Sequence, residues 1–209
     1  MVTTTEITEK YIREHTSIKY CLKKNLINYS ALARLIGDKQ NVKKTTSKEA
    51  ILIAARRYRD KINDINDDKD IIDLFESSNF EIKNNIVVFT LEKNIYPDSL
   101  IDIERVIKKD KSLFYSIEGT KTITIIVQKH YTKLLRTKFK NYLLSVKNKQ
   151  SLITITSPGI ADIPGAVHHI TGLFFENKIN IEEFMSCYDD TLIVIDSKDV
   201  PRIVTVLGF

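Results

Sequence analysis

Hydrophobic and polar residues alternate in the C-terminal part of the chain in a way that predicts strands separated by helices. Residues 151–156, Ser-Leu-Ile-Thr-Ile-Thr, follow the period of two that is typical of a half-buried strand. A helix is expected to begin at Pro164, because apolar residues then recur at helical spacing: Val167, Ile170, Leu173 and Phe174. Two more strands and a short helix are predicted over 179–187, 191–196 and 199–207. The predicted order is therefore βαββα.

Residues 80–147 repeat this order in a weaker form, with strands at 85–91, 113–116 and 122–127 and helices at 98–109 and 130–139. Aligning 87–91 with 153–157, and 122–127 with 191–196, gives offsets of 66 and 69 residues. A nearly constant offset predicts an internal repeat. The first copy has Tyr96-Pro97-Asp98 in place of the Pro-Gly pair of the second, so we assign the first copy a mainly structural role.

The second copy resembles the ACT domain, most closely the regulatory ACT domains of aspartate kinases. The resemblance covers about a quarter of the chain and rests on Pro164-Gly165-Ala166-Val167, the helix that follows, Asn180-Ile181-Glu182 and the aliphatic run 191–194. The family's unit is βαββαβ, whereas this chain reaches Phe209 without a fourth strand. We expect that strand to be absent or to come from elsewhere, for example from residues 142–146.

The resemblance implies an amino-acid site, because ACT domains commonly bind amino acids at interfaces between modules. Carried over, the site is formed by Ile160, Ala161, Asp162, Ile163, Pro164, Gly165, Ala166 and Val167, with Asn180 and Ile181. The residue chemistry is compatible, since a helix N-terminus favours a carboxylate, glycine allows close approach and Asp162 suits an ammonium group. The alternative is that Asp162 only caps the helix and Pro-Gly sets its entry angle.

Residues 1–62 predict an all-α domain. Helices are expected over 6–14, from Thr16 or Ser17, and over 31–36, where the helix is capped at 28–30 and stopped by Gly37-Asp38. The longest helix is expected after Thr46 or Ser47, with an apolar stripe of Ala50, Ile51, Ala54, Ala55, Tyr58 and Ile62. A short helix, a turn and a longer basic helix resemble a helix-turn-helix domain, although other small helix bundles have the same pattern.

Charge is distributed unevenly between the two parts of the chain. Residues 1–62 carry 14 basic and 6 acidic residues, whereas residues 63–209 carry 18 and 21. This asymmetry favours an anionic partner for the N-terminal part. The candidate DNA contacts are Lys43, Lys44, Lys48, Arg56, Arg57 and Arg59. The alternative is that these side chains are solvated charges on a helix face.

Together these patterns predict an α+β protein with tandem ferredoxin-like βαββαβ units after an all-α N-terminal domain. The expected segments are the helical domain 1–62, an acidic connector with a short helix at 63–79, and ACT-like units at 80–147 and 148–209. Each sheet has helices on one side, so the two sheets are expected to pair side by side. Their open faces and edges are expected to cover each other or to meet a second subunit, which favours a homodimer.

The sequence lacks the motifs of common catalytic and metal sites. It has no GxxxxGK, GxGxxG or HExxH pattern, and the neighbours His168 and His169 do not share a helical face as zinc ligands would. Cys21 and Cys187 are expected to be reduced. No cofactor is expected, and an enzyme built from residues distant in sequence remains an alternative. The absence of an apolar run of about 18 residues and of a signal-peptide pattern predicts a cytoplasmic protein.

The sequence therefore favours a non-catalytic regulatory protein that binds an amino acid or similar small metabolite through its ACT-like units. If the basic domain binds DNA, the protein is a transcriptional regulator whose ligand changes the placement of two such domains in a dimer. The alternative is a regulatory subunit or scaffold that pairs with a biosynthetic enzyme and binds neither ligand nor DNA.

Overall fold

The computed structural model describes residues 2–39, 48–62, 67–94 and 97–207. The chain divides into two compact units, Met1–Asp67 and Asp68–Phe209, which are described separately. The described residues of the first unit form helices without strands, and the helices are α1 (Thr4–Glu14), α2 (Thr16–Lys23), α3 (Tyr29–Lys39) and α4 (Lys48–Ile62). The capping residues proposed for α4, Thr46 and Ser47, lie outside the described residues, as do Lys43 and Lys44.

Local capping fixes the starts of two of these helices. Thr3 and Glu6 form a capping box at α1, in which each side chain accepts a hydrogen bond from the other residue's backbone N–H at 3.2 and 2.7 Å. Asn28 caps α3 by accepting from the Ala31 N–H at 3.0 Å. The prediction that Gly37 ends α3 is wrong, because the helix continues to Lys39. Glycine lowers helix propensity by only about 1 kcal/mol, and packing against α4 outweighs that.

The second unit combines helices with one antiparallel sheet. It begins with helix α5 (Asp67–Glu76), and the remaining elements in chain order are β1 (Asn79–Glu92), α6 (Pro97–Lys109), β2 (Phe114–Glu118), β3 (Thr122–Gln128), α7 (Thr132–Lys138), β4 (Leu143–Thr156), α8 (Ala166–Glu176), β5 (Glu183–Cys187), β6 (Asp190–Asp196) and α9 (Val200–Leu207). The strand order is β2-β3-β1-β4-β6-β5. The two predicted sheets are therefore joined into one through β1 and β4.

Strands β1 and β4 are each 14 residues long and pair in two separate sections. Residues 79–83 pair with 152–156, whereas residues 88–91 pair with 143–147. Irregular register separates the sections, and each strand there contains a residue with positive φ, Asn85 at 59° and Lys149 at 60°. A bulge of this kind bends a strand and increases its twist. Each long strand thus contributes to both halves of the sheet.

This pairing corrects the expected source of the fourth strand of the last unit. Residues 143–147 lie beside β1 and complete the first group of strands, so they do not serve the last one. Residues 79–83 of β1 instead lie beside β4 and complete the last group. Residues 79–83, which lie at the start of the first ACT-like copy in sequence, therefore belong to the second ACT-like copy in space. Local periodicity does not report which distant strand is the partner.

Register also corrects the alignment of the two copies. Glu92 pairs with Thr122, and Thr156 pairs with Asp190 at the corresponding place. The offsets are therefore 64 residues for the first strand and 68 for the third, rather than 66 and 69. Two other expected boundaries move, since α8 begins at Ala166 instead of Pro164 and β5 begins at Glu183 instead of residue 179.

The four helices that follow the strands cover one face of the sheet. Phe89 of β1 and Ile125 of β3 pack with Ile107 of α6 and Leu135 of α7. Ile153 and Ile193 of the other half pack with Ile170 and Phe174 of α8, and Ile203 of α9 completes this core. α5 contributes Leu74 to the same cluster. The two halves therefore have separate cores under their own helices.

The opposite faces of the two half-sheets bury each other. Ile86, Val88 and Ile126 from one half form a single cluster with Leu152, Leu192 and Val194 from the other, and none is more than 4 % exposed. Tyr115 on one edge strand lies near Asp190 and Cys187 at the other edge; burial raises the pKa of its hydroxyl, and those acidic groups add to the rise. The sheet is thus folded on itself, with helices on both outer surfaces.

Candidate functional site

The loop between β4 and α8 is held in place by the hairpin that joins β5 to β6. The Ser157 N–H donates to the Asp189 carbonyl at 2.8 Å, and the Gly159 N–H donates to the Asp189 carboxylate at 3.0 Å. The buried Ser157 hydroxyl also hydrogen-bonds the Ser78 hydroxyl. A short 3-10 turn, Ile160–Asp162, then leads toward the helix. The loop is therefore fixed from two sides before any ligand binds.

The N-terminus of α8 is capped by backbone conformation and lacks a side-chain cap. Gly165 is the N-cap residue at φ 92°, a left-handed conformation that favours glycine. The Ala166 N–H donates to the Ile163 carbonyl at 3.3 Å, and the His169 N–H donates to the Gly165 carbonyl at 2.9 Å. Within the described part of the chain, no acceptor is found for the backbone N–H groups of Val167 and His168. Asp162 therefore does not cap this helix.

The ten residues of the proposed amino-acid site divide into a buried and an exposed set. Ile160 and Ala166 belong to the core beneath α8, and the half-buried Ile163 and Ile181 pack against that core. The side chains at the surface are those of Ala161, Asp162, Pro164, Gly165, Val167 and Asn180. Val167 is 47 % exposed, so its expected place in the core stripe of α8 is wrong. The structure thus places four of the ten residues in or against one core and leaves the other six, including Asp162 and Asn180, open to solvent.

Helix α5 lies beside the same loop. A Cβ added to Gly165 would come within 3.4 Å of the Ile71 Cδ1 atom of α5. A cavity of about 300 Å³ lies alongside, between α5, α8 and α9, and is lined by Ile72, Phe75, Glu76, Phe80, His169, Leu173, Val206 and Leu207. The side chain of His169 is exposed, and its imidazole lies 4.9 Å from the Phe75 ring, so it also contacts α5. The loop, α8 and α5 form one packed region.

Sequence reasoning missed three residues of this region. Asp189 lies between two predicted strands and was given no role, yet its side chain and carbonyl hold the loop. Ser78 and Ile71 were assigned to a connector, yet they contact Ser157 and approach Gly165. An aspartate in a turn and a serine after a helix are too common to carry a signal. Only the pairing of distant strands brings these residues to the loop.

The basic residues proposed to contact DNA have different environments on α4. Lys48, Arg56 and Arg57 are exposed, and the Arg56 guanidinium lies 5.4 Å from the centre of the Tyr29 ring. Arg59 is instead engaged by Asp60, to which its Nη2 donates at 2.7 Å, and by Asn25 at 3.3 Å. The hydrogen bond to Asp60 raises the pKa of Arg59. Arg59 is thus the least available of these side chains.

No group of three or more His, Cys, Asp or Glu side chains is placed to hold a metal ion in residues 2–39, 48–62, 67–94 and 97–207. None of the helices in these ranges is both long and apolar enough to cross a membrane.

Solved structures of aspartate kinases share this fold. The alpha and beta subunits of an aspartokinase align at 14 % identity over 65 % of this chain and 95 % of that chain, with a TM-score of 0.54. The regulatory subunit of aspartate kinase from Thermus flavus aligns at 10 % identity over 61 % of this chain and 94 % of its own, with a TM-score of 0.50.

The full aspartate kinase of Clostridium acetobutylicum aligns at 15 % identity over 61 % of this chain, with a TM-score of 0.52, and only 33 % of that kinase is covered. This chain therefore spans about a third of the full enzyme that it resembles. No protein-family profile and no curated protein matches the sequence. Identities this low establish the fold alone. The mixed unit of helices and antiparallel sheet has the ACT-like fold of aspartate kinase regulatory domains.

Proposed function

We propose that this chain is a non-catalytic regulatory protein that binds a free amino acid, or a similar small zwitterion, at the N-terminus of α8. The observation that carries the proposal is the open end of that helix. The N–H groups of Val167 and His168 have no acceptor in the described ranges, and the exposed Asp162 carboxylate lies in the loop just before them. The region therefore offers groups for both charges of an amino acid.

Each charge has a physical counterpart in the loop. A carboxylate accepts hydrogen bonds from free backbone N–H groups and is stabilised by the positive end of the helix dipole, by about 0.3–1 kcal/mol for the dipole. An ammonium group donates to Asp162 in a charge-assisted hydrogen bond. Gly165 keeps the approach to the backbone open, since a side chain there would point toward Ile71. A ligand with only one charge would lose one of these interactions.

Helix α5 provides a route by which binding reaches the rest of the chain. Its Ile71 borders Gly165, and its Leu74 and Phe75 pack on the core that supports the loop. A ligand at the loop changes the surroundings of this helix directly. Because α5 begins where the basic first unit ends, it is suited to transmit occupancy toward that unit.

Thermal unfolding of the full chain against each common amino acid tests the proposal. A ligand at about a hundred times its dissociation constant adds roughly 2.7 kcal/mol, which raises the midpoint of a chain of this size by several degrees. The matched variant is Asp162→Asn, which removes the charge that pairs with the ammonium group and keeps the shape. We expect one or two amino acids to raise the midpoint of the wild type and to lose most of that effect in the variant.

Two outcomes would contradict the proposal. No shift with any amino acid would reject the proposed ligand class. A shift that survives in both Asp162→Asn and Gly165→Leu would place the ligand elsewhere in the protein.

A second candidate function is a regulatory subunit that pairs with a biosynthetic enzyme and binds no ligand. It is favoured by the alignment with separate subunit chains, 94 % and 95 % of whose lengths are covered. Stoichiometric recovery of one enzyme with the tagged chain, without any amino-acid shift, would support this candidate. The amino-acid-binding protein is instead expected to form a homodimer without a second protein. Sedimentation of the chain alone and with the enzyme distinguishes these two candidates.

DNA binding by the first unit remains a separate proposal. It rests on the charge of residues 1–62 and on the exposure of Lys48, Arg56 and Arg57 along α4. The connection between α3 and α4 lies outside the described residues, and the resemblance to a helix-turn-helix has no support from the comparisons. Double substitution of Arg56 and Arg57 by Glu is the variant that tests it.

A further inference from the structure

Basic side chains form a row on the outer surface of α7 and of the short 3-10 turns on either side of it, Lys129–Tyr131 and Lys140–Tyr142. The segment 129–140 contains five Lys or Arg residues, one His and no acidic residue. Tyr131, Leu135 and Phe139 form its inner stripe and are at most 7 % exposed. Lys129, Lys133, Arg136 and Lys140 are all exposed and follow at helical spacing on the other side. The row spans roughly 16 Å at the helical rise per residue.

The charges of this row are not neutralised within the described chain. None of Lys129, Lys133, Arg136 or Lys140 has an ion-pair partner in the ranges that the structure describes. Lys138, which lies off the row, approaches the Asp102 carboxylate of α6 at 3.7 Å.

The C-terminal end of α6 extends the same surface. The Tyr131 hydroxyl donates to the Asp110 carboxylate at 2.9 Å, which fixes the start of α7 beside the end of α6. Exposed basic residues there are Arg105, Lys109 and Lys111. The basic row is therefore part of a wider positive surface built from two helices.

The fold itself does not require these charges. The second copy of the unit places residues 197–207 where the first copy places 129–139, since β3 and β6 occupy equivalent positions in the two halves. The equivalents of Lys129, Lys133 and Arg136 are Ser197, Pro201 and Val204. The same structural role is thus filled without a basic row, so the charges of α7 serve something other than folding.

We propose that the α7 row, with the end of α6, binds the phosphate backbone of duplex DNA. A duplex carries about one charge per 1.7 Å, or roughly nine phosphates over the length of the row, and neutralising them releases counterions. This interface is distinct from the residues proposed on α4 and does not rest on amino-acid binding. An anionic membrane is disfavoured because the apolar face of α7 is buried. Among the described residues of this surface, Leu134 at 38 % exposure and Val106 of α6 at 48 % are the large apolar side chains open to insertion.

The test is fluorescence anisotropy of a labelled 20-base-pair duplex with the full chain, from about 50 to 200 mM salt. The variant is the triple substitution K133E/R136E/K140E. The charge-matched control is K121E/K178E/K198E, which changes exposed lysines elsewhere in the same unit. A second variant, R56E/R57E, tests whether the DNA contacts lie on α4 instead. Circular dichroism establishes the folding of each variant, and K133Q/R136Q replaces the triple variant if that one does not fold.

We expect the α7 variant to weaken binding by more than about tenfold at intermediate salt. It should also reduce the slope of log K against log salt by about three, one for each lost phosphate contact. The charge-matched control and the α4 variant should keep the wild-type slope.

Equal losses in the charge-matched control would overturn the proposal, because net charge would then explain the binding. A loss confined to R56E/R57E would place the interface on the first unit. Absence of DNA binding at 50 mM salt, or binding only to anionic phospholipid vesicles, would also overturn it.

Discussion

Thr124 on β3 lies close enough to Glu183 on β5 to lower the pKa of its carboxylate, although three strands separate the two residues in the sheet order. Four strand spacings correspond to about 19 Å in a flat sheet. This proximity therefore requires the two halves of the sheet to face each other across the shared apolar cluster. It also places a carboxylate at the margin of that cluster, where its ionisation is coupled to folding.

The Glu183 carboxylate gives a pH-dependent prediction. Burial raises its pKa above the ordinary 4.5, the nearby Glu182 adds to the rise, and Thr124 and Lys147 oppose it. The folded state thus binds the proton more tightly, so this group's contribution to stability is fully present below about pH 4.5 and is lost as pH rises through the folded pKa.

We expect Glu183→Gln to remove this pH-dependent part, because glutamine stays neutral and keeps the shape of the side chain. The free energy of unfolding of the wild type, minus that of the variant, should increase as pH falls from 7 toward 4.5. Denaturant titrations at several pH values measure the difference. A difference that decreases toward acid would contradict the assigned direction of the shift.

Thr191 predicts a stabilising substitution. Its side-chain oxygen is fully buried without a hydrogen-bond partner in the described structure. Thr191→Val keeps the shape and removes the unsatisfied hydroxyl, so we expect a gain of about 1 kcal/mol in the free energy of unfolding, or a few degrees in midpoint. Thr191→Ala is the control. It also removes a methyl group, so its free energy of unfolding should rise less than that of the valine variant or should fall. A clear decrease in the free energy of unfolding of Thr191→Val would show that the hydroxyl has a hydrogen-bond partner.

Two glycines of the loop form a matched pair. Gly159 and Gly165 both have positive φ, at 80° and 92°, so any side chain costs about 1–2 kcal/mol at either position. An added Cβ meets no atom within 4 Å at Gly159 but lies near Ile71 at Gly165. We expect Gly165→Leu to be less stable than Gly159→Leu by a further 1–3 kcal/mol or so, because leucine must displace α5. Equal decreases in the thermal unfolding midpoints of the two variants would argue against a contact between residue 165 and Ile71.

The two neighbouring phenylalanines of α8 should differ sharply in how much their replacement by alanine lowers the free energy of unfolding. Phe174 is 1 % exposed and lies in the core, whereas Phe175 is 82 % exposed. Phe174→Ala should cost about 3–5 kcal/mol, and Phe175→Ala should stay within about 0.5 kcal/mol. Denaturant unfolding measures both variants. A large loss for Phe175→Ala that increases with protein concentration would show that this side chain is buried between two copies of the chain.

The sequence by itself determined which residues of each helix and strand face a core. Ile170 and Phe174 were predicted on the buried stripe of α8 and are at most 1 % exposed. Period-two alternation likewise identified residues 151–156 and 191–196 as strands. These features follow from local geometry, because the spacing of side chains around a helix or across a strand is fixed by the backbone. The prediction for Val167 failed because Ala166 takes the buried position in the first turn, and Val167 is rotated from it by about 100° around the helix toward solvent.

Tertiary structure alone decided how the strands pair and what surrounds the proposed site. Residues 142–146 were expected as a source of the fourth strand, whereas residues 79–83 supply it. The sequence does not distinguish such segments, since any alternating segment presents the same hydrogen-bonding groups to a neighbour. The bulges near Asn85 and Lys149 assign each segment to its half of the sheet, and the same folding brings Asp189, Ser78 and Ile71 to the loop before α8. Contacts between residues this far apart in sequence depend on the packing of the whole unit and leave no local pattern.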